Sequence, residues 1–212
     1  MLPMEIERKF TIKYLPENIE SINQLTQKHI FKDMVCSIRV RKSLNIYTGE
    51  KIFTHTIKAR GENVEKYSIC ELEKSISEEE YKKLKPFRGS RTIQKYRCVV
   101  PIANGLKAEV DIFDGWMKGL IIAEVEFKSS KQAEEFEMPN WFEKSVEHKE
   151  FSNRALSTKS RHEIMLMIGK NQLATNKRIY NYLQRKVIKN KISNIEYKIK
   201  AGRLIVKITK IN

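Results

Sequence analysis

Seven segments of this chain repeat one rule, in which side chains two apart share a face and one face carries charge while the other is apolar. A β-strand sends successive side chains to opposite faces, so the rule marks strands, roughly at 4–13, 35–43, 52–60, 66–76, 91–100, 107–114 and 120–128. In the first, Glu5, Glu7 and Lys9 oppose Met4, Ile6 and Phe10. In the later ones Arg39 and Arg41 oppose Ile38 and Val40, Lys58 opposes Ile57, and Glu71 and Glu73 oppose Cys70 and Leu72. Lys95 and Arg97 oppose Tyr96 and Cys98, Glu109 and Asp111 oppose Val110 and Ile112, and Glu124 and Glu126 oppose Val125 and Phe127.

For any single strand the plain reading is a half-buried antiparallel sheet with a solvated outer face. The set argues otherwise. Charges paired at i and i+2 recur in strand after strand, and the signs segregate into a cationic group (Lys9, Arg39, Arg41, Lys58, Lys95, Arg97) and an anionic one (Glu5, Glu7, Glu71, Glu73, Glu109, Asp111, Glu124, Glu126). If the sheet closes with these charges inward, its apolar face must be covered from outside. Segments with helical signals at 17–31, 78–85, 130–137 and 153–172 are available for that, and an eighth strand is expected near 145–149. The expected fold is therefore mainly β within an α+β class: a closed eight-stranded antiparallel barrel with a charged interior, clad by helices. An interior with so many ions must be wet, internally paired or filled by a charged ligand, because a lone buried ion costs several kcal/mol. A polyphosphate with divalent cations suits that inventory. Arg and Lys converge on phosphate oxygens, and carboxylates hold hard ions such as Mg²⁺ or Mn²⁺.

The net charge of +15 invites a nucleic-acid reading until its location is considered. Residues 159–212 hold 14 Lys and Arg against Glu163 and Glu196, whereas the preceding 158 residues hold 27 basic and 24 acidic side chains. The excess belongs to a Lys/Asn/Ile-rich extension at 173–212, expected to be a helix at 176–190 followed by a hairpin at 194–208, appended to a main domain at 1–172. A nucleic acid or other polyanion could dock on that extension, with Tyr180, Tyr182 and Tyr197 as stacking groups; a solvated appendage is the stronger reading. No apolar run approaches the roughly 20 residues of a membrane span, and the N-terminus lacks the features of a secretion signal, so a cytoplasmic location is expected. Cys36, Cys70 and Cys98 match no metal or redox spacing, and Cys70 and Cys98 read as small core residues. His162-Glu163 lacks the second histidine of a zinc-protease motif, and the glycines build no phosphate-binding loop.

Glu5-Ile6-Glu7-Arg8-Lys9 resembles the N-terminal ExExK signature of the CYTH superfamily, also called triphosphate tunnel metalloenzymes. The resemblance continues in the family's order through Ile38-Arg39-Val40-Arg41, Thr56-Ile57-Lys58, Glu71-Leu72-Glu73, Lys95-Tyr96-Arg97, Glu109-Val110-Asp111, Ala123-Glu124-Val125-Glu126, Pro139-Asn140-Trp141 and Phe151-Ser152-Asn153-Arg154. It covers roughly residues 3–158. It implies an eight-stranded tunnel, Mg²⁺ or Mn²⁺ as cofactor, and hydrolysis of triphosphate compounds, or in one branch cyclisation of ATP. By motif, Glu5, Glu7 and Glu126 would be metal ligands, with Asp111 and Glu124 near the metals. Lys9, Arg39, Arg41, Lys58, Lys95 and Arg97 would hold the phosphates, alongside Glu71 and Glu73. The catalytic set implied is Glu5, Glu7, Lys9 and Glu126. One departure is that Lys66 to Cys70 precede Glu71 where many relatives have an arginine, so one phosphate contact is absent or comes from Lys66.

Inorganic tripolyphosphate is the expected substrate, because the motifs account for phosphate and metal while nothing specifies a base or a sugar. The competing readings are an adenylate cyclase, a thiamine or nucleoside triphosphatase, and a polyphosphate-binding module without turnover.

Overall fold

The structure is a computed structural model that describes residues 4–33, 35–59, 68–84, 91–147, 149–193, 195–200 and 203–208. The protein is mainly β. Nine strands form one antiparallel sheet: β1 (Met4–Ile12), β2 (Ser21–Lys32), β3 (Cys36–Asn45), β4 (Lys51–Ala59), β5 (Ser68–Ser75), β6 (Ile93–Pro101), β7 (Lys107–Phe113), β8 (Ile121–Phe127) and β9 (Phe142–Val146). Their spatial order is β5-β4-β3-β2-β6-β7-β8-β1-β9. One edge of β1 is shared. Its C-terminal half pairs with β9, while Met4, Glu5 and Ile6 at its start register with Cys70, Ile69 and Ser68 of β5.

The ninth strand comes from a segment expected to be helical. Ile19, Ile22 and Leu25 have helical spacing, yet residues 21–32 form β2, hydrogen-bonded to β3 on one side and β6 on the other. The reason is burial on both faces. Ile22 packs in the main apolar core and Leu25, on the opposite face, is equally buried, so the clean alternation that betrays a strand is missing. The eighth expected strand also sits earlier than 145–149, at Phe142–Val146.

Short helices α1 (Glu78–Leu84) and α2 (Ser130–Glu134) fall where the acidic first turn and the Ser129 cap place them, and the Ser129 side chain accepts from the Gln132 backbone. The expected helix at 153–172 is instead three pieces: α3 (Asn153–Leu156), α4 (Arg161–Ile168) and the start of α5 (Lys170–Ser193). Ser160 and Glu163 form a reciprocal capping box that starts α4 afresh. Gly169 then ends it at φ 76°, a left-handed conformation a side chain would resist.

Part of the outward apolar face is covered by α5. Its Ile179, Leu183 and Val187 join Ile22, Tyr96, Cys98, Val110, Ala123 and Phe142 in one core. Each fully buried aliphatic side chain contributes about 1.5–3 kcal/mol of burial. Polar straps fix the helix axially: Gln172 donates to the Ile12 carbonyl at 2.8 Å, Asn176 to Gly119 at 2.7 Å and Asn190 to Ile46 at 2.8 Å. A second core, including Phe113, Met117, Ile122, Phe151, Leu156 and Ile164, joins α3 and α4 to the sheet. The last two strands, β10 (Ile195–Lys200) and β11 (Arg203–Ile208), form the expected separate hairpin. No described helix is long and apolar enough to cross a membrane.

Candidate functional site

The charged faces of the strands meet around a cavity of about 690 Å³. Lining it are Glu5, Glu7 and Lys9 of β1, Arg39 and Arg41 of β3, Lys58 of β4, Arg97 of β6, and Glu124 and Glu126 of β8. An adjoining cavity of about 410 Å³ shares several of these and adds Glu71, Glu73 and Glu109. Lys95 and Asp111 lie one layer deeper, buried behind the wall and outside both linings. The residues singled out by alternation thus come together.

Segregation of sign by strand becomes pairing across strands, because cationic β6 lies beside anionic β7, and cationic β4 lies between cationic β3 and anionic β5. Arg97 donates Nε and Nη2 to the two oxygens of Asp111, each at 2.7 Å, reaches Glu124 at 2.8 Å, and also pairs with Glu109. Lys95 pairs with Asp111, and Lys9 with Glu124 and, at 3.0 Å, with Glu7. On the other wall Arg41 meets Glu73 at 2.8 Å, Arg39 meets Glu71 at 3.1 Å, and Lys58 joins Glu5 and, at 2.6 Å, Glu71. Thr56 adds a hydrogen bond to Glu73 at 2.7 Å.

These neighbours set the protonation pattern. Burial opposes charge on Lys9, but Glu124 and Glu7 outweigh it and hold the ammonium above the usual lysine range. Burial likewise opposes charge on Glu124, and Lys9 and Arg97 overcome it to hold the carboxyl well down. At Lys95 burial wins over Asp111, pushing the ammonium down to about 8. Burial and then Glu7 push Glu5 up to about 8, while burial, Glu109 and Glu7 raise Glu126. Carboxylates are therefore crowded along β1 and β8.

Crowded oxygens are the donor chemistry of a hard divalent ion. Among the described residues no three acidic, histidine or cysteine groups already converge on one point, since each of these carboxylates except Glu126 leans on a lysine or arginine. Glu126 is exposed, lines both cavities, and makes no ion pair with a described residue.

The alternation argument missed part of the lining. Gln27 and His29 come from β2, whose inward face was hidden by the helical reading. Lys32 and Asp33 follow at its end, and Lys149, Ser152 and Arg154 come from the segment entering α3. Burial and then Arg39 push His29 down to about 4, so its imidazole is neutral near pH 7. Lys66, the alternative phosphate contact, lies outside the described residues. The cysteines are not at the site: Cys98 is buried in the core, where burial pushes its thiol up to about 12.

An antiparallel sheet that gathers this many paired ions around an accessible cavity defines a receptor for a polyanion taken with counter-cations. Comparison with known proteins gives the lineage. The chain is 31% identical over 156 residues to an inorganic triphosphatase of Nitrosomonas europaea, covering 72% of this chain and 96% of that protein. A crystal structure of the inorganic triphosphatase NE1496 matches with a TM-score of 0.51 at 28% identity, over 75% of this chain and 97% of that one. A further crystal structure, of the hypothetical protein NE1496, matches with a TM-score of 0.52 at 28% identity, over 74% and 99% respectively. No family model matches the chain. The chain belongs to the CYTH, or triphosphate tunnel metalloenzyme, superfamily.

Proposed function

We propose that this protein hydrolyses inorganic tripolyphosphate with the help of a divalent cation, Mg²⁺ or Mn²⁺. The observation that carries the reading is the cavity lining, which supplies arginine, lysine and carboxylate from separate strands and, among the described residues, no Phe, Tyr or Trp on which a nucleobase or a thiamine ring could stack. Kinship with an inorganic triphosphatase supports the same reaction.

In this reading the sheet works as a tunnel, closed through the β1 and β5 register pairs. Arg39, Arg41 and Lys58 on one wall, with Lys9 and Arg97 on the other, bind and orient the triphosphate and offset its charge; Lys95, expected among the phosphate ligands, lies behind the wall and holds Asp111 instead, and Glu71 and Glu73 hold the first wall's cations in place. Glu5, Glu7 and Glu126 would hold the cation, with Glu124 and Asp111 behind them, and their like-charge crowding is what a cation would relieve. When bound, the cation neutralises charge developing on the transferred phosphoryl group. Loading the site requires Glu7 and Glu124 to loosen from Lys9, which frees that ammonium for phosphate. Lys9 is thereby part of the catalytic set with Glu5, Glu7 and Glu126. The main domain, 1–172, carries this chemistry, and 173–212 is an extension to it.

The test is to incubate the pure protein with Mg²⁺ or Mn²⁺ and tripolyphosphate, ATP or thiamine triphosphate in turn. Metal-stimulated phosphate release, fastest from tripolyphosphate, is expected. Cyclic AMP as the dominant product from ATP would replace hydrolysis by cyclisation, and tight binding without phosphate release would leave a binding module.

A further inference from the structure

Gln27 is 1% exposed, lines the 690 Å³ cavity, and finds no hydrogen-bond partner for either Nε2 or Oε1 among the described residues. Leaving a buried amide unpaired costs about 1–3 kcal/mol per group, so such a side chain persists where a ligand completes it. Its position says which ligand. Gln27 registers with Arg41 across β2 and β3, and Arg41 registers in turn with Thr54, whose buried hydroxyl is also unpaired. Arg41 is held back by Glu73 at 2.8 Å, so it does not serve the carboxamide, although both line the same cavity.

The two unpaired atoms ask for opposite things. Nε2 needs an acceptor, and a phosphoryl oxygen drawn to Arg41 is one. Oε1 needs a donor, and neither a phosphate oxygen nor a carboxylate can supply it. A water can. We propose that Gln27 is a catalytic residue of this site: Nε2 donates to a non-bridging oxygen of the terminal phosphoryl group beside Arg41, and Oε1 accepts from the water that attacks it. A carboxamide in that position orients the nucleophile without taking its proton. The water oxygen bonds to the terminal phosphorus, and the phosphoanhydride P–O bond breaks with its electron pair on the departing diphosphate. One water proton stays on the attacking oxygen, and the other passes to another oxygen of the phosphate formed. This assignment rests on the tripolyphosphatase reading above and names a residue within it.

Gln27→Met keeps the length of the side chain and removes both polar atoms. Its kcat for tripolyphosphate should fall by about tenfold or more, with KM changing less. Its apo melting temperature should stay level or rise, because two unpaired buried groups are gone. A purely structural glutamine gives the reverse, a lower melting temperature with kcat per folded molecule unchanged. Gln27→Glu places a carboxylate against the phosphate and should raise KM while also losing kcat. In case neither variant folds, the unsubstituted protein can be read directly. With ¹⁵N-glutamine labelling, the Gln27 side-chain amide should shift on adding imidotriphosphate, a slowly hydrolysed analogue, with Mg²⁺. If that resonance stays put, or Gln27→Met matches the parent in kcat and KM within twofold, Gln27 is not in the reaction. If the parent itself releases no phosphate from tripolyphosphate, the functional reading falls and this one with it.

Discussion

The two walls of the cavity are built from the same residue types and do different things. On the wall formed by β6, β7, β8 and the Lys9 end of β1, Lys95 and Asp111 each keep only 1% of their side-chain surface exposed, and Arg97 is shared among three carboxylates. On the wall formed by β3, β4 and β5, each arginine and lysine has one or two acidic partners, and Glu73 is 34% exposed. The first wall also carries surplus acid. Among the described residues Glu7, Glu109, Asp111, Glu124 and Glu126 outnumber Lys9, Lys95 and Arg97 there, whereas Arg39, Arg41 and Lys58 on the second pair with Glu5, Glu71 and Glu73. The deeply buried Lys95–Asp111 pair suits a fixed role, and the more open, balanced pairs of the second wall can trade their acids for an incoming phosphate. The contrast teaches that burial, rather than residue type, separates charges that hold the sheet from charges that can turn toward a ligand.

The sharpest way to break this contrast is to strike its deepest pair. Asp111→Asn leaves Lys95 buried without its anion and removes the bidentate partner of Arg97. Breaking a buried pair on one side costs about 3–5 kcal/mol. Urea unfolding should show that loss, and a change below about 1 kcal/mol would mean that the two walls are equally soft.

Glu7→Gln tests the same wall for function. It removes one of the carboxylates crowded along β1 but leaves Lys9 paired with Glu124. Metal-dependent turnover should drop by about 100-fold or more, since a bound cation supplies several kcal/mol of transition-state stabilisation, while the urea midpoint should move little. Normal turnover would remove Glu7 from the cation site. On the second wall Arg41→Ala should weaken tripolyphosphate binding by about 1.5–3 kcal/mol, the value of a charge-assisted hydrogen bond, with a small effect on stability because Glu73 is partly solvated. A large loss of stability there would erase the distinction between the walls.

Much of this was legible before any coordinates, and the exceptions have physical causes. The inward faces of β1, β3, β4, β5, β6, β7 and β8 could be read because each sets charge against aliphatic side chains. β2 could not, because Gln27 and His29 on its inward face are buried as deeply as Ile22 on its outward one. The depth of Lys95 and Asp111 was equally hidden, since depth depends on which strands are neighbours and alternation reports only the face. The segment around Arg154 belongs to the resemblance by motif, but only folding of α3 against the second core brings that arginine to the cavity. The extension differs again. Its helix was visible from the Ile179, Leu183 and Val187 stripe, but what that stripe covers was not, and α5 runs unbroken from Lys170 across the composition boundary.

The smallest expected effect concerns His29, on the strand that joins the walls. Its ring is 3% exposed, and burial followed by Arg39, Lys32 and Arg154 pushes it down to about 4 from an ordinary value near 6.5. A depressed folded value means that the unfolded chain takes up the proton first. The stability this confers is complete above about 6.5 and is lost as pH falls toward 4. Glu5, raised to about 8, acts with the opposite sign, stabilising at low pH and losing that contribution as pH rises toward 8. The two slopes overlap, so the native protein alone cannot separate them, but subtracting His29→Gln can. Between pH 7 and pH 4.5 the parent should lose about 1–3 kcal/mol more unfolding free energy than the variant. Parallel curves would show that the imidazole is protonated at no cost, and hence that neither its burial nor Arg39, Lys32 and Arg154 oppose its charge.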